Sequence, residues 1–267
     1  MLLQKPRRTF ARITSDADAA GPVLCNSFPK SGTHLLLQAL QTLPHTQYYG
    51  SFLASVPSIR FRLRSDASHR SHLRSIAAGE VIPMHLYHRA AYENFASENG
   101  AAHFFIYRDL RDVVVSEAFY LATMAKWHRM SQAFRQLDDT ESRIELSIRG
   151  LESQYPSEYP DVAKRFGFYA QWMQRDDCLP IRFEDLRGDH RETTLERIAQ
   201  FDQRQRGIEY DIAVWKQAAI EAMDPNRSHT FRSGEKQGWR KHFTPKLQQA
   251  FDEVAGQCNR SLGYAED

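Results

Sequence analysis

Short apolar runs and helical spacings alternate along the chain. Gly21-Pro22-Val23-Leu24-Cys25 is an apolar run after a turn signal and reads as a core strand. Pro29 and Gly32 break it, and Leu35, Leu36, Leu37, Ala39 and Leu40 resume the apolar pattern at helical spacing. Glu80 to Leu86 predicts a second short strand, Ala101 to Tyr107 a continuous one buried on both faces, and Cys178 to Phe183 another. Between and after them, helices are predicted over 65–78 with Gly79 as cap, 90–98, 113–125, 161–175, 193–201, 211–222 and 245–257. Residues 46–65 have no clean period and read as loop and short helix; 126–160 mix charges and read as a mobile cover. Strands alternating with helices predict an α/β fold, a single domain whose central, mainly parallel sheet is flanked by helices.

Bulk numbers narrow this picture only slightly. A chain of 267 residues, 42% of them hydrophobic, is long enough for one large core. With 35 basic against 33 acidic residues the net charge is +2, which argues against a nucleic-acid partner and makes any anion site local. Three cysteines without C-x-x-C spacing imply neither a disulfide framework nor a zinc site, and fit a reducing, cytoplasmic setting. Residues 1–20 are basic, lack the apolar core of a secretory signal and read as a mobile arm before a domain at 21–267. No run approaches the ~20 apolar residues of a membrane span.

The first strand runs into Ser27-Phe28-Pro29-Lys30-Ser31-Gly32-Thr33-His34 and then a helix start. The first N–H groups of a helix have no intrahelical partner and its dipole favours negative charge, so this P-loop-like turn is suited to a phosphate. Lys30 adds a full charge and Thr33 a hydroxyl, although the lysine precedes the glycine, unlike the G-x-x-x-x-G-K-[ST] loop of nucleotide triphosphatases. A second strand–loop–helix unit follows at Tyr107-Arg108-Asp109-Leu110-Arg111-Asp112, with Ser116 eight residues beyond Arg108. Ligands of such sheets sit outside the carboxyl ends of the strands, so both loops are expected at one crevice. Arg108 is suited to a phosphate; its alternative is an ion pair with Asp109 or Asp112, worth ~0–1 kcal/mol on a surface.

These segments resemble the sulfotransferases that use 3′-phosphoadenosine 5′-phosphosulfate (PAPS). Pro29-Lys30-Ser31-Gly32-Thr33 is similar to their 5′-phosphosulfate loop, P-K-[SA]-G-T, and Tyr107 to Ser116 to their 3′-phosphate motif, Y-R-[DN]-x-[RK]-D-x-x-x-S. Phe231 to Thr244 resembles their C-terminal loop, R-K-G-x-x-G-D-W-[KR]-x-x-F, at Arg232, Gly234, Trp239 and Phe243, with Ser233 in place of the lysine. The resemblance implies a donor held by Lys30, Ser31, Gly32, Thr33 and His34, by Arg108 and Ser116, and by Arg232, Ser233 and Gly234. Phe183, in a segment like Y-E-D-[LM], would give adenine an aromatic face, or is simply a core residue. His85 lies where the family has K-[TS]-H-L-P, here Pro83-Met84-His85-Leu86-Tyr87, and would be the base, with Lys30 stabilising the leaving group.

The function implied is transfer of a sulfuryl group from PAPS to a hydroxyl or amine of a small-molecule, lipid or carbohydrate acceptor, without a metal. The lack of an anchoring segment is similar to the soluble branch of the family. Two alternatives stay open: a nucleotide-dependent kinase, which needs the Gly-Lys order and an acidic magnesium partner, and an inactive nucleotide-binding protein of the same fold.

Overall fold

The computed structural model describes residues 20–224 and 237–264. In chain order the elements begin with β1 (Val23–Ser27), α1 (Thr33–Leu40), β2 (Leu53–Ala54), α2 (Asp66–Leu73), β3 (Val81–His85), α3 (Phe95–Glu98) and β4 (Ala102–Tyr107). After β4 come α4 (Leu110–Phe119) with a π-helical turn at Tyr120–Met124, α5 (Ser131–Arg135), α6 (Thr140–Arg149) and α7 (Val162–Ala170). Then follow β5 (Cys178–Arg182), α8 (Phe183–Arg187), α9 (Arg191–Arg206), α10 (Ile212–Ala222), α11 (Pro245–Phe251) and α12 (Gln257–Ser261). The residues group into two compact units.

The first unit holds the sheet, with α1, α2, α3, α8, α9 and α10. Its five strands run in the order β2-β3-β1-β4-β5, and every pairing is parallel. A parallel sheet is covered on both faces, which is why β1 and β4 are apolar almost throughout. Val23, Cys25, Phe104 and Ile106 meet Leu36 and Leu40 of α1 and Leu195, Ile198 and Phe201 of α9 in one core. Register decides what the strand ends bring together: Asn26 lies opposite Met84 and Ser27 opposite Ile106, so β1, β3 and β4 finish side by side.

The second unit contains residues 56–63 and α4, α5, α6, α7, α11 and α12. Phe134, Ile144, Ile148, Val162 and Leu247 are completely buried within it. Its best-tied group is ionic: Glu117 accepts from Ser147 Oγ (2.6 Å), Tyr159 Oη (2.7 Å) and Arg165 (2.7 Å). Although burial opposes its charge, the arginine and the three hydrogen bonds hold the Glu117 carboxyl below its usual range.

Several predicted elements change. The segment 46–65 contains an edge strand, β2, rather than a short helix; two residues paired with Met84 and His85 are too few to show a period. Helix α2 stops at Leu73, and Gly79 (φ 65°) instead turns the chain into β3, donating its N–H to Ala20 O. Of 90–98 only Phe95–Glu98 is helical. Residues 126–160, read as few in strong signals, hold α5 and α6, which bury Phe134, Ile144 and Ile148 in the core of the second unit. Among the described residues no helix is long and apolar enough to cross a membrane.

Candidate functional site

In the first unit the anion loop is built by backbone conformation. Lys30 (φ 67°) and Gly32 (φ 100°) are both left-handed, so the chain doubles back between Ser27 and Thr33. Ser31 N–H closes the turn on Phe28 O at 3.2 Å, and Leu35 and Leu36 N–H both reach Gly32 O. Gly32 has a second reason to lack a side chain: a Cβ there would lie 2.4 Å from the Phe183 ring. Phe183 is 5% exposed and opens α8 rather than ending a strand. Its burial beneath the loop fits the core reading of this residue.

Ser31 is completely buried, and its Oγ has no hydrogen-bond partner among the described residues. A buried hydroxyl left in this state is costly unless a ligand completes it, and a phosphate oxygen at the loop would do so. The loop thus fits a phosphate group. His34, at the second position of α1, is exposed.

Beside the loop stands His85, the last residue of β3. Its Nδ1 is 3.0 Å from Ser27 Oγ and 3.1 Å from Ser27 O. A carbonyl only accepts, so Nδ1 carries the proton and Nε2 keeps a lone pair. Ser27 Oγ also lies 2.7 Å from Thr33 Oγ1 and donates to Met84 O at 3.2 Å. One serine therefore joins the histidine to the anion loop. Burial lowers the His85 pKa to about 4, with the charges of His34 and Lys30 acting the same way and the Ser27 and Met84 carbonyls opposing. The imidazole is neutral at physiological pH, as a proton acceptor must be.

Two further residues frame His85. Asn26, completely buried, accepts Leu86 N–H at 2.9 Å and donates to Leu86 O at 3.1 Å, extending the β1–β3 ladder one residue past the strand end. Phe52, 45% exposed, sets its ring edge-on to the imidazole at 4.9 Å.

In the second unit Arg108 follows directly on β4. It is 8% exposed and pairs with Asp112 at 3.1 Å. This is a buried pair, not the surface pair the alternative reading required. Asp112 also accepts Trp239 N–H at 2.9 Å; burial raises its pKa, while Arg108 and that N–H oppose the rise. Asp109 is taken by Arg111, whose guanidinium reaches it at 2.8 Å and lies over the Trp239 ring at 4.0 Å. Ser116 is half-buried on α4. Arg232, Ser233 and Gly234 lie outside the described residues.

The sulfotransferase-domain family model matches residues 21–262. The chain belongs to the sulfotransferase family. No curated protein matches it in sequence. The structure of this sulfotransferase resembles that of mouse sulfotransferase SULT7A1 complexed with PAP, at TM-score 0.62 and 19% identity, over 96% of this chain and 93% of that one. It also resembles retinol dehydratase in complex with androsterone and inactive cofactor PAP, at TM-score 0.60 and 12% identity, over 95% and 84% of the two chains. A retinol dehydratase complex with retinol and PAP aligns at TM-score 0.60 and 12% identity, over 99% and 88%. At these identities the likeness shows the fold, and the family assignment removes the kinase alternative.

Of the residues picked from the sulfotransferase motifs, Lys30, Ser31, Gly32, Thr33 and His85 come together in the first unit, and Arg108 stands with Asp112 in the second. Ser27, Asn26 and Phe52 are not among the motif residues. Ser27 and Asn26 had one available signal, two polar residues ending a buried strand immediately before a glycine-containing loop. Phe52 had none.

Proposed function

We propose that this PAPS-dependent sulfotransferase uses His85 Nε2 as its base and Lys30 as the charge that stabilises the departing nucleotide. The acceptor hydroxyl attacks sulfur; the new O–S bond forms as the bond from sulfur to the 5′-phosphate oxygen breaks in line, and the hydroxyl proton passes to Nε2. The products are the sulfated acceptor and 3′-phosphoadenosine 5′-phosphate (PAP), and His85 then returns its proton to solvent. Lys30, Ser31 Oγ, Thr33 Oγ1 and the N–H groups around Gly32 and His34 would bind the 5′-phosphate and leaving oxygen. Arg108 and Ser116, with Arg232, Ser233 and Gly234, would hold the 3′-phosphate. Positioning and charge then supply the catalysis without a metal.

The observation that carries this reading is the hydrogen-bonded line from Thr33 through Ser27 to His85 Nδ1, which joins a neutral base to an anion loop. The half-exposed Phe52 ring against the imidazole supports an acceptor with an apolar body next to its hydroxyl, a small molecule or lipid rather than a bare sugar. Retinol and androsterone, bound by retinol dehydratase, are of that kind. Residues 21–267 are taken to act as one catalytic domain, and the free thiols of Cys25, Cys178 and Cys258 support a reducing, cytoplasmic setting.

The test is transfer from PAPS to a panel of phenols, steroid and terpenoid alcohols, saccharides and amines, with PAP binding measured in parallel. Lys30→Ala is expected to lower kcat by ~10²–10³ and His85→Ala by ~10²–10⁴, while EDTA changes nothing. Tight PAP binding with no transfer to any acceptor would mean an inactive nucleotide-binding protein instead.

A further inference from the structure

The turn that carries Arg108 is held from the far end of the chain by one asparagine. Asn259, on α12, is 3% exposed. Its Oδ1 accepts Leu110 N–H at 2.9 Å, and its Nδ2 donates to Asp109 Oδ1 at 3.2 Å. Leu110 opens α4, so its N–H is among the donors a helix cannot satisfy itself, and Asp109 is the N-cap, accepting Arg111 N–H at 2.9 Å. The Asp109 carboxylate also accepts from the Arg111 guanidinium, at 3.0 and 3.2 Å from Nε and 2.8 Å from the terminal nitrogen.

This arrangement has an electrostatic consequence for Arg108. Asp109 is the carboxylate next to it in sequence, yet that carboxylate is turned onto Arg111 and Asn259, and the Arg108 guanidinium pairs with Asp112 instead. The cluster of Arg108, Asp109, Arg111 and Asp112 balances two positive and two negative charges before any phosphate arrives. If Asp109 were released, it could swing toward Arg108 and compete with an anion for it. Asn259 adds to the Arg111 pair in opposing that movement, and as a neutral amide it does so without adding charge.

We propose that Asn259 is a positioning residue for the donor's 3′-phosphate, acting through the Asp109–Leu110 turn to keep Arg108 directed to the ligand. The inference rests on the reading of Arg108 as the 3′-phosphate ligand. A residue with only a structural role would lower stability and weaken all nucleotides alike. A positioning role weakens only those that carry a 3′-phosphate.

The experiment is calorimetric titration of the full chain with PAP and with adenosine 5′-phosphate, which lacks the 3′-phosphate. In Asn259→Ala the preference for PAP is expected to fall about tenfold, with adenosine 5′-phosphate binding unchanged. Leu247→Ala, which opens the core of the same unit, is expected to lower Tm and leave the preference intact. Arg108→Ala should lower the preference at least as far as Asn259→Ala; if it leaves the preference unchanged, the 3′-phosphate reading fails and the inference with it. If Arg108→Ala lowers it and Asn259→Ala leaves it unchanged, or if Leu247→Ala lowers it equally, the role of Asn259 alone is overturned. Should Asn259→Ala not fold, Asn259→Asp keeps an acceptor for Leu110 N–H while setting a carboxylate against Asp109, and the same loss of preference is expected.

Discussion

Replacing Asn26 by alanine tests how the base is held in place. Asn26 Oδ1 accepts both Leu86 N–H (2.9 Å) and Ser27 N–H (3.0 Å), and Nδ2 donates to Leu86 O (3.1 Å). Leu86 O keeps a second donor, Trp172 Nε1 at 2.9 Å, so the substitution leaves that carbonyl satisfied. Leu86 N–H loses the acceptor it has among the described residues, at a site with 2% exposure. An unsatisfied buried donor costs ~1–3 kcal/mol, and the small void left behind adds to it, so ~2–4 kcal/mol is expected out of a typical total of ~5–15. His85 sits between Leu86 and the Ser27 contact, and freeing one side of it should lower kcat by ~10-fold or more while leaving PAP affinity nearly unchanged. Urea unfolding and single-turnover transfer measure the two effects. Asn26→Asp separates them further: it preserves the acceptor for Leu86 N–H, and its negative charge favours the imidazolium, so the acid limb of the rate profile should move to higher pH. A loss of stability below 0.5 kcal/mol together with an unchanged kcat in Asn26→Ala would refute the reasoning, with that threshold set by the ~±0.5 kcal/mol typical of inconsequential substitutions.

Gly32→Ala should cost ~1–3 kcal/mol from left-handed strain, and more because the new methyl meets Phe183; PAP titration should show lost affinity, and retention of full affinity would contradict the loop geometry. Acid stability follows from His69, His85 and His128, lowered to about 4, and His103, lowered to about 3, in each case chiefly by burial. Their folded pKa values lie below the unfolded value of 6.5, so the neutral forms contribute stability that is complete above 6.5 and lost as pH falls toward 4 and 3. For a buried group such as His103 the limiting effect is on the order of 5 kcal/mol; Tm measured from pH 7 to 4 should fall steeply, and His103→Leu should flatten the slope, an unchanged slope counting against the assignment.

What could be read from the sequence depended on how far apart the interacting groups lie. The anion loop is local: Pro29, Lys30, Gly32 and the resumed leucine spacing belong to one stretch, and the loop stands where that stretch predicts. Even there the left-handed φ of Lys30 was not visible, because a residue with a side chain adopts it only under surrounding constraint. The Asp139 cap, the Ile144–Ile148 spacing and the terminal Gly150 of α6 are also local, but the mixed charge of 126–160 masks them and no helix is predicted there. By contrast, Ser27 meets His85 across 58 residues, Asn26 meets Leu86 across 60, and Asn259 meets Leu110 across 149. No period or motif records such a pairing.

Arg108 shows both cases at once. Its sequence offers two carboxylates, Asp109 next to it and Asp112 one turn on, and helical spacing alone favours neither once the strand-to-helix turn intervenes. The choice is made by what else claims Asp109. Arg111 takes both of its oxygens and Asn259 adds another donor, and the pair that forms is Arg108 with Asp112. That partner is itself held by the N–H of Trp239, a residue of the C-terminal motif. The arginine expected to read the donor's 3′-phosphate is thus set by two distant residues, and the specificity for that phosphate should be sensitive to changes at either of them.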